Sequence, residues 1–192
     1  MPSIVLASSS PYRRKLLEQL GLPFEWASPD IDETAHPGES ADTLVKRLAQ
    51  AKAHALVARY PNHWIIGSDQ VAALNGRILG KPGNFENARD QLRACRGQRV
   101  EFITGLCLLN SHNGSDETIA EPFSVVFRSL SDEQIERYLA CEQPFDCAGS
   151  FKAEGLGIAL FERLEGDDPN ALIGLPLIQL VTLLQRAGVA VI

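Results

Sequence analysis

Ile4-Val5-Leu6-Ala7-Ser8-Ser9-Ser10-Pro11-Tyr12-Arg13-Arg14 carries a complete strand, loop and helix start. The four apolar residues read as a buried strand. After the serines and Pro11, Leu16, Leu17 and Leu20 recur at helical spacing. Ser10 can cap that helix and Pro11 suits its first turn. A strand that ends in a hydroxyl-rich loop at a helix N-terminus offers free backbone N–H groups and a favourable dipole to an anion. Arg13 and Arg14 sit in the first turn, where the dipole disfavours cations. Either one of them serves an anionic ligand, or the segment is a capped helix with two solvated arginines. The segment alone leaves both readings open.

Outward from this stretch the pattern is α/β. Phe24-Glu25-Trp26-Ala27 reads as a short strand, followed by an acidic, turn-rich segment from Ser28 to Ser40. The spacing of Leu44, Val45, Leu48, Ala49, Ala53, Leu56 and Val57 predicts a helix over 41–59, capped by Ser40 and stopped by Pro61. Trp64-Ile65-Ile66-Gly67 predicts a buried strand that continues through Ser68-Asp69-Gln70 to Leu74. Asn75-Gly76 is a hairpin turn, and Arg77-Ile78-Leu79 returns toward Gly80-Lys81-Pro82. A helix from Phe85 to Arg96 ends at Gly97. Alternating strands flank His112-Asn113-Gly114 as an antiparallel pair, the second running from Glu117 to Phe127. Ser131 caps a helix through Leu139. Ala148-Gly149-Ser150 and Glu154-Gly155-Leu156-Gly157 read as loops, Ile158 to Phe161 as a strand, and Leu175 to Ala187 as the last helix. The expectation is a single domain, 1–192, built on a mixed twisted sheet flanked by helices.

The bulk numbers restrict the function. Hydrophobic residues make up 45% of the 192 and charged residues 22%, enough for a full core. A formal charge of −6 argues against a surface for nucleic-acid polymers or anionic membranes. It leaves room for a small phosphorylated ligand in a local basic pocket. The 4 cysteines show no C-x-x-C spacing, so free thiols are expected, and the 4 histidines are scattered. With no signal-peptide pattern and no apolar run of membrane-spanning length, the expected location is the cytoplasm.

Some motif matches fail. Gly76 to Pro82 has one spacer too few for a P-loop, and proline stands where Ser or Thr is required. Gly155-x-Gly157 lacks a third glycine. Asp69 is the sharpest position, because it interrupts the apolar run from Trp64 to Leu74. A carboxylate there needs a cation, a metal or several donors. Lys52 shares a helical face with Leu48, Ala49 and Leu56, so its ammonium must snorkel or meet an anion. Arg47, on a neighbouring stripe, carries the same ambiguity. Lys81 is held between Gly80 and Pro82 after the hairpin. Asp32 and Glu33 point opposite ways if extended, so at most one faces a common site. Taken together, Ser8, Ser10, Arg13, Lys52 and Lys81 offer donors and positive charge for a polyphosphate. Asp69 and Glu33 offer hard oxygens for Mg²⁺ or Mn²⁺, and one carboxylate could take a proton from water.

These residues resemble the Maf family of nucleotide pyrophosphatases. The likeness rests on Ser8-x-Ser10-Pro11-x-Arg13-Arg14, Asp32-Glu33, Arg47-Leu48-Ala49-x-x-Lys52-Ala53, Gly67-x-Asp69 and Gly80-Lys81-Pro82. Ala148-Gly149-Ser150, Glu154-Gly155 and Gly174-Leu175-Pro176 fit it too. The resemblance implies a fold like that of inosine triphosphatase (Maf/Ham1), often dimeric. It implies divalent-metal-dependent cleavage of a nucleoside triphosphate to the monophosphate and pyrophosphate. It makes Asp69 the proton acceptor and places Ser8, Arg13, Glu33, Lys52 and Lys81 around the phosphates and metal. Tyr12, Gln70 and Glu154 depart from the pattern of members acting on dTTP and UTP. They are similar to the branch acting on 7-methyl-GTP, in which an aromatic, Gln and Glu stand there. Cation–π attraction to the methylated, positively charged guanine fits that set, as does a carboxylate accepting from guanine N–H groups. The alternatives are a pyrophosphatase for another nucleotide and a non-catalytic nucleotide-binding regulator of cell division.

Overall fold

The computed structural model describes residues 3–192. Its strands are β1 (Ile4–Ala7), β2 (Phe24–Ala27), β3 (Trp64–Leu74), β4 (Arg77–Leu79), β5 (Arg99–Asn110), β6 (Asp116–Phe127) and β7 (Phe161–Glu165). Its helices are α1 (Pro11–Glu18), α2 (Ala41–His54), α3 (Phe85–Cys95), α4 (Asp132–Glu142), α5 (Pro169–Ile173) and α6 (Leu177–Arg186). The sheet order is β2-β1-β3-β5-β6-β7, with β4 paired to β3. β1 runs parallel to both β2 and β3. The β3–β4 and β6–β7 pairs are antiparallel. The sheet is therefore mixed, as expected. The chain divides into two compact units, described in turn.

The first unit holds the chain up to Gln70, with Thr104–Glu121 and Gly174–Ile192. All of β1 is buried, as befits a parallel strand covered on both faces. One face of α2 buries Leu44, Val45, Leu48, Ala49, Lys52 and Ala53. Two glycines set how near that helix lies to the strands. A Cβ at Gly67 of β3 would sit 2.0 Å from the Ala49 carbonyl oxygen. One at Gly105 of β5 would sit 2.1 Å from that of Val45. Helix α2 ends at His54 rather than 59. Beyond it the chain tightens into short turns, with Leu56 N–H bonded to Ala53 O and Val57 N–H to His54 O. Pro61 disfavours helical backbone at Tyr60, which closes the segment. By the same rule α6 starts at Leu177, after Pro176, and not at Leu175.

The second unit comprises Val71–Ile103 and Pro122–Ile173. Asn75 and Gly76 both adopt positive φ, 50° and 77°, the geometry of a tight hairpin turn. Phe102, Phe127, Phe151 and Phe161 pack edge to face, with Phe151–Phe161 centroids 4.8 Å apart. The expected strand at Ile158–Phe161 is instead a tight 3₁₀ segment, Leu156–Leu160, and β7 follows it. Leu156 N–H donates to the Glu142 carboxylate and Gly157 N–H to Lys152 O, drawing this stretch in on itself. Ala148–Ser150 is likewise a buried 3₁₀ turn at Gly149 and Ser150 rather than a loose loop. Ser150 Oγ donates to Gln91 Oε1 at 2.5 Å. Helix α5 has no counterpart in the sequence pattern. It is one short turn, started by Asp168, whose side chain accepts from Asn170 N–H.

All four cysteines are free thiols. Among the described residues no helix is long and apolar enough to cross a membrane.

Candidate active site

Strand β1 delivers the chain to the serine loop. Ser8 is buried, and its Oγ accepts from Ser10 N–H at 3.1 Å. Ser10 caps α1, accepting from Arg13 N–H, with Pro11 at the first turn. The two arginines then part. Arg14 lies over the Trp26 ring, 4.0 Å from its centroid, where a cation gains about 1 kcal/mol. Arg13 Nε donates to the Gly174 carbonyl at 2.8 Å, and Ser68 Oγ donates to the same oxygen at 2.9 Å. Gly174 has φ +119°, and a Cβ there would stand 3.3 Å from Arg13 Nε. Burial lowers the Arg13 pKa, and the charges of Asp69 and Glu33 oppose that shift. The guanidinium stays charged at neutral pH. Its two Nη groups make no hydrogen bond with the described residues. Of the two arginines, Arg13 is the one whose charge interacts with Asp69 and Glu33, while Arg14 stacks on Trp26 with its Nε unpartnered.

Lys52 and Asp69 meet because α2 lies so near β3. Lys52 Nζ is 2.6 Å from Asp69 Oδ1 and 2.7 Å from Glu33 Oε1. The Lys52 and Asp69 side chains are 8% and 10% exposed, while Glu33 is 55% exposed. The lysine does not snorkel; it joins a buried acid to an acid from the surface loop. Asp32 takes no part, its carboxylate accepting from Thr34 N–H. Glu33 is thus the one member of that pair that faces the site. Asp69 spends Oδ1 on Lys52, and no donor among the described residues reaches Oδ2.

Four further residues lie near this centre in the first unit. Gln70 follows Asp69, and its amide donates to Thr104 Oγ1 at 3.0 Å. Tyr12 is half-buried in the first turn of α1. Ser68 and Gly174 are additions that sequence reasoning missed as functional. Gly174-Leu175-Pro176 was visible, but nothing in it announces a backbone carbonyl as an acceptor for Arg13. The structure brings together Ser8, Ser10, Arg13, Glu33, Lys52 and Asp69. Lys81 and Glu154 belong to the second unit. Lys81 is exposed just after β4, its loop held by Gln91 donating to Gly80 O and Asn87 to Pro82 O. Glu154 is exposed in the turn before the 3₁₀ segment.

Two carboxylates reach this centre, too few to cage a divalent cation by themselves. Among the described residues no group of three His, Cys, Asp or Glu side chains could cage an ion. Glu33 and Asp69 nevertheless point oxygens at one cationic centre, the Lys52 ammonium. Mg²⁺ commonly uses one or two carboxylates and takes its other ligands from phosphate and water. The pair therefore fits an ion that arrives with a polyphosphate.

The family model for Maf-like protein matches residues 3–187. A 7-methyl-GTP pyrophosphatase of Nitrosococcus oceani is 59% identical over all of this chain and 96% of its own length. Proteins of the same name from Pseudomonas syringae and Pseudomonas aeruginosa are 59% and 57% identical, each covering 100% of both chains. Among solved structures, the Ham1 protein of Staphylococcus aureus superposes with a TM-score of 0.55 at 14% identity. That match covers 96% of this chain and 99% of the other, and it supports the inosine-triphosphatase-like fold. With the family model matching residues 3–187 and relatives 57–59% identical over the whole chain, this chain belongs to the Maf family.

Proposed function

We propose that this protein hydrolyses 7-methyl-GTP to 7-methyl-GMP and pyrophosphate. The observation that carries the reading is the buried Asp69–Lys52 pair, joined by the exposed Glu33 and interacting with Arg13. The names of relatives at 57–59% identity over the full chain support the substrate.

The roles follow from charge and reach. The serine loop and the free Nη groups of Arg13 receive the triphosphate. Lys52 gives its positive charge to the same anion, and Lys81 is proposed to add a second ammonium. Asp69 accepts a proton from the attacking water through the oxygen that Lys52 leaves free. The water oxygen bonds to the α-phosphorus and the bond to the bridging oxygen breaks, so pyrophosphate leaves. Glu33 and Asp69 would hold Mg²⁺ or Mn²⁺, which would neutralise phosphate charge. Tyr12 offers an aromatic face to the cationic base, Gln70 a side-chain amide, and Glu154 a carboxylate to its N–H groups. The protein is proposed to work in the cytoplasm, as a homodimer.

Asp69→Asn tests the assignment. Loss of the base should lower kcat by about 10²–10⁴ while nucleotide affinity stays within a few-fold. Unchanged pyrophosphate release from this variant would remove Asp69 from the chemistry. A wild-type protein that binds nucleotide without releasing pyrophosphate would support the regulator instead.

A further inference from the structure

The segment that carries Glu33 has no regular structure. Residues 28–40 lie between β2 and α2 and are mostly exposed. Such a segment does not by itself hold a carboxylate 2.7 Å from a buried ammonium. Two local turns give it shape. Asp32 accepts from Thr34 N–H, fixing the backbone on either side of Glu33. His36 N–H donates to the Glu39 carboxylate, and Glu39 N–H donates to His36 O across the Pro37-Gly38 turn.

Both turns are tied to α2 by one side chain. Arg47 Nε donates to Glu39 Oε1 at 2.7 Å and Nη2 to Oε2 at 2.8 Å, a two-pronged pair. The same Nη2 donates to the carbonyl of Thr34, the residue after Glu33, at 3.0 Å. The Glu39 side chain is only 5% exposed, so this is not a loose surface ion pair. Its carboxyl is held down to about 2, by Arg47 first and by the His36 N–H next. On α2, Lys52 lies further along the same rigid helix, so the arginine and the ammonium share one frame.

We propose that Arg47 is a positioning residue of the site: by latching residues 34–39 onto α2, it sets Glu33 against Lys52. The inference rests on the hydrolase reading above and extends it. Every side-chain hydrogen bond that Arg47 makes is to the loop, so beyond the long-range field of its charge on Asp69 it reaches the site through Glu33.

A double-mutant cycle on the full-length protein tests this, with kcat/KM for pyrophosphate release as one readout and backbone hydrogen exchange at 32–39 as the other. With Glu33 present, Arg47→Ala should lower kcat/KM about tenfold and raise exchange in the segment. In a Glu33→Ala background the same change should cost less than about twofold, because the residue it positions is gone. Arg47→Lys should resemble Arg47→Ala, since an ammonium lacks the fork that grips Glu39 and Thr34 together. Glu39→Ala breaks the latch from the loop side and should repeat the pattern, which separates it from any folding defect peculiar to position 47. Equal losses in both backgrounds would mean Arg47 acts on substrate or on overall stability, and would overturn the proposal. So would an unchanged kcat/KM in Arg47→Ala. A wild-type protein without pyrophosphate release would overturn the hydrolase reading instead, and the exchange data would still report whether the latch exists.

Discussion

Lys52 shows how one side chain can be read in advance and still surprise. Its helical spacing put it on the apolar face of α2, where the structure finds it, 6% exposed. Spacing could not say that its ammonium would meet two carboxylates, one from β3 and one from a loop. Local signals do not encode a partner 17 residues away. The parting of Arg13 and Arg14 was hidden for the same reason. Trp26 and Gly174 decide it, and both are distant in sequence. Glu154 carries the prediction at this scale. If its carboxylate accepts from the base, Glu154→Gln removes a charge-assisted bond worth about 2 kcal/mol. kcat/KM for 7-methyl-GTP should then fall about 30-fold while that for UTP holds. Steady-state kinetics on both nucleotides reads this out, and a parallel fall in both would deny Glu154 a role in base choice.

Among the elements, the approach of α2 to the sheet matters most to the site. Gly67 and Gly105 let the helix backbone touch the strands, and Asp69 follows Gly67 by two residues. Gly67→Ala would drive a Cβ into the Ala49 carbonyl, and backbone cannot yield as a side-chain tip does. Overpacking of this kind costs about 3 kcal/mol. Thermal unfolding should show the loss, accompanied by reduced turnover as Lys52 is pushed from Asp69. An unshifted midpoint would mean α2 can retreat freely.

A second element-scale prediction concerns α3 and α4. Asp132 caps the gap between them, paired with Arg93 and Arg96. Those guanidiniums, Arg93 first, lower its carboxyl pKa to about 2 from an ordinary value near 3.8. A depressed carboxylate stabilises the fold above its unfolded pKa, and the gain fades as pH falls through the folded one. Asp132→Asn should therefore unfold slightly more easily than wild type above about pH 4, with the gap closing toward pH 2. A gap independent of pH would put the effect elsewhere. Elements also mark where the sequence stopped being informative. Long periodic segments such as α2, β3 and the β5–β6 pair stood out, whereas α5 is shorter than any helical period can reveal. The chain from Leu156 to Leu160 is apolar enough for a strand, but a bond to Glu142 coils it instead.

At the scale of the molecule, an acidic chain sets two cations among two carboxylates in one place. The formal charge is −6, yet Arg13 and Lys52 converge with the serine loop in the first unit. A net negative chain with only a local cluster of cationic donors suits a small phosphorylated ligand better than a nucleic-acid polymer. The family and the fold were legible because several motifs stood in order along nearly the whole chain, and the match over 3–187 bears this out. The measurement that bears most directly on the account is pyrophosphate release across 7-methyl-GTP, GTP, UTP and dTTP, with and without Mg²⁺. 7-methyl-GTP should be turned over with the highest kcat/KM, yielding 7-methyl-GMP and pyrophosphate in equal amounts. Faster turnover of UTP or dTTP, or orthophosphate as the product, would contradict it.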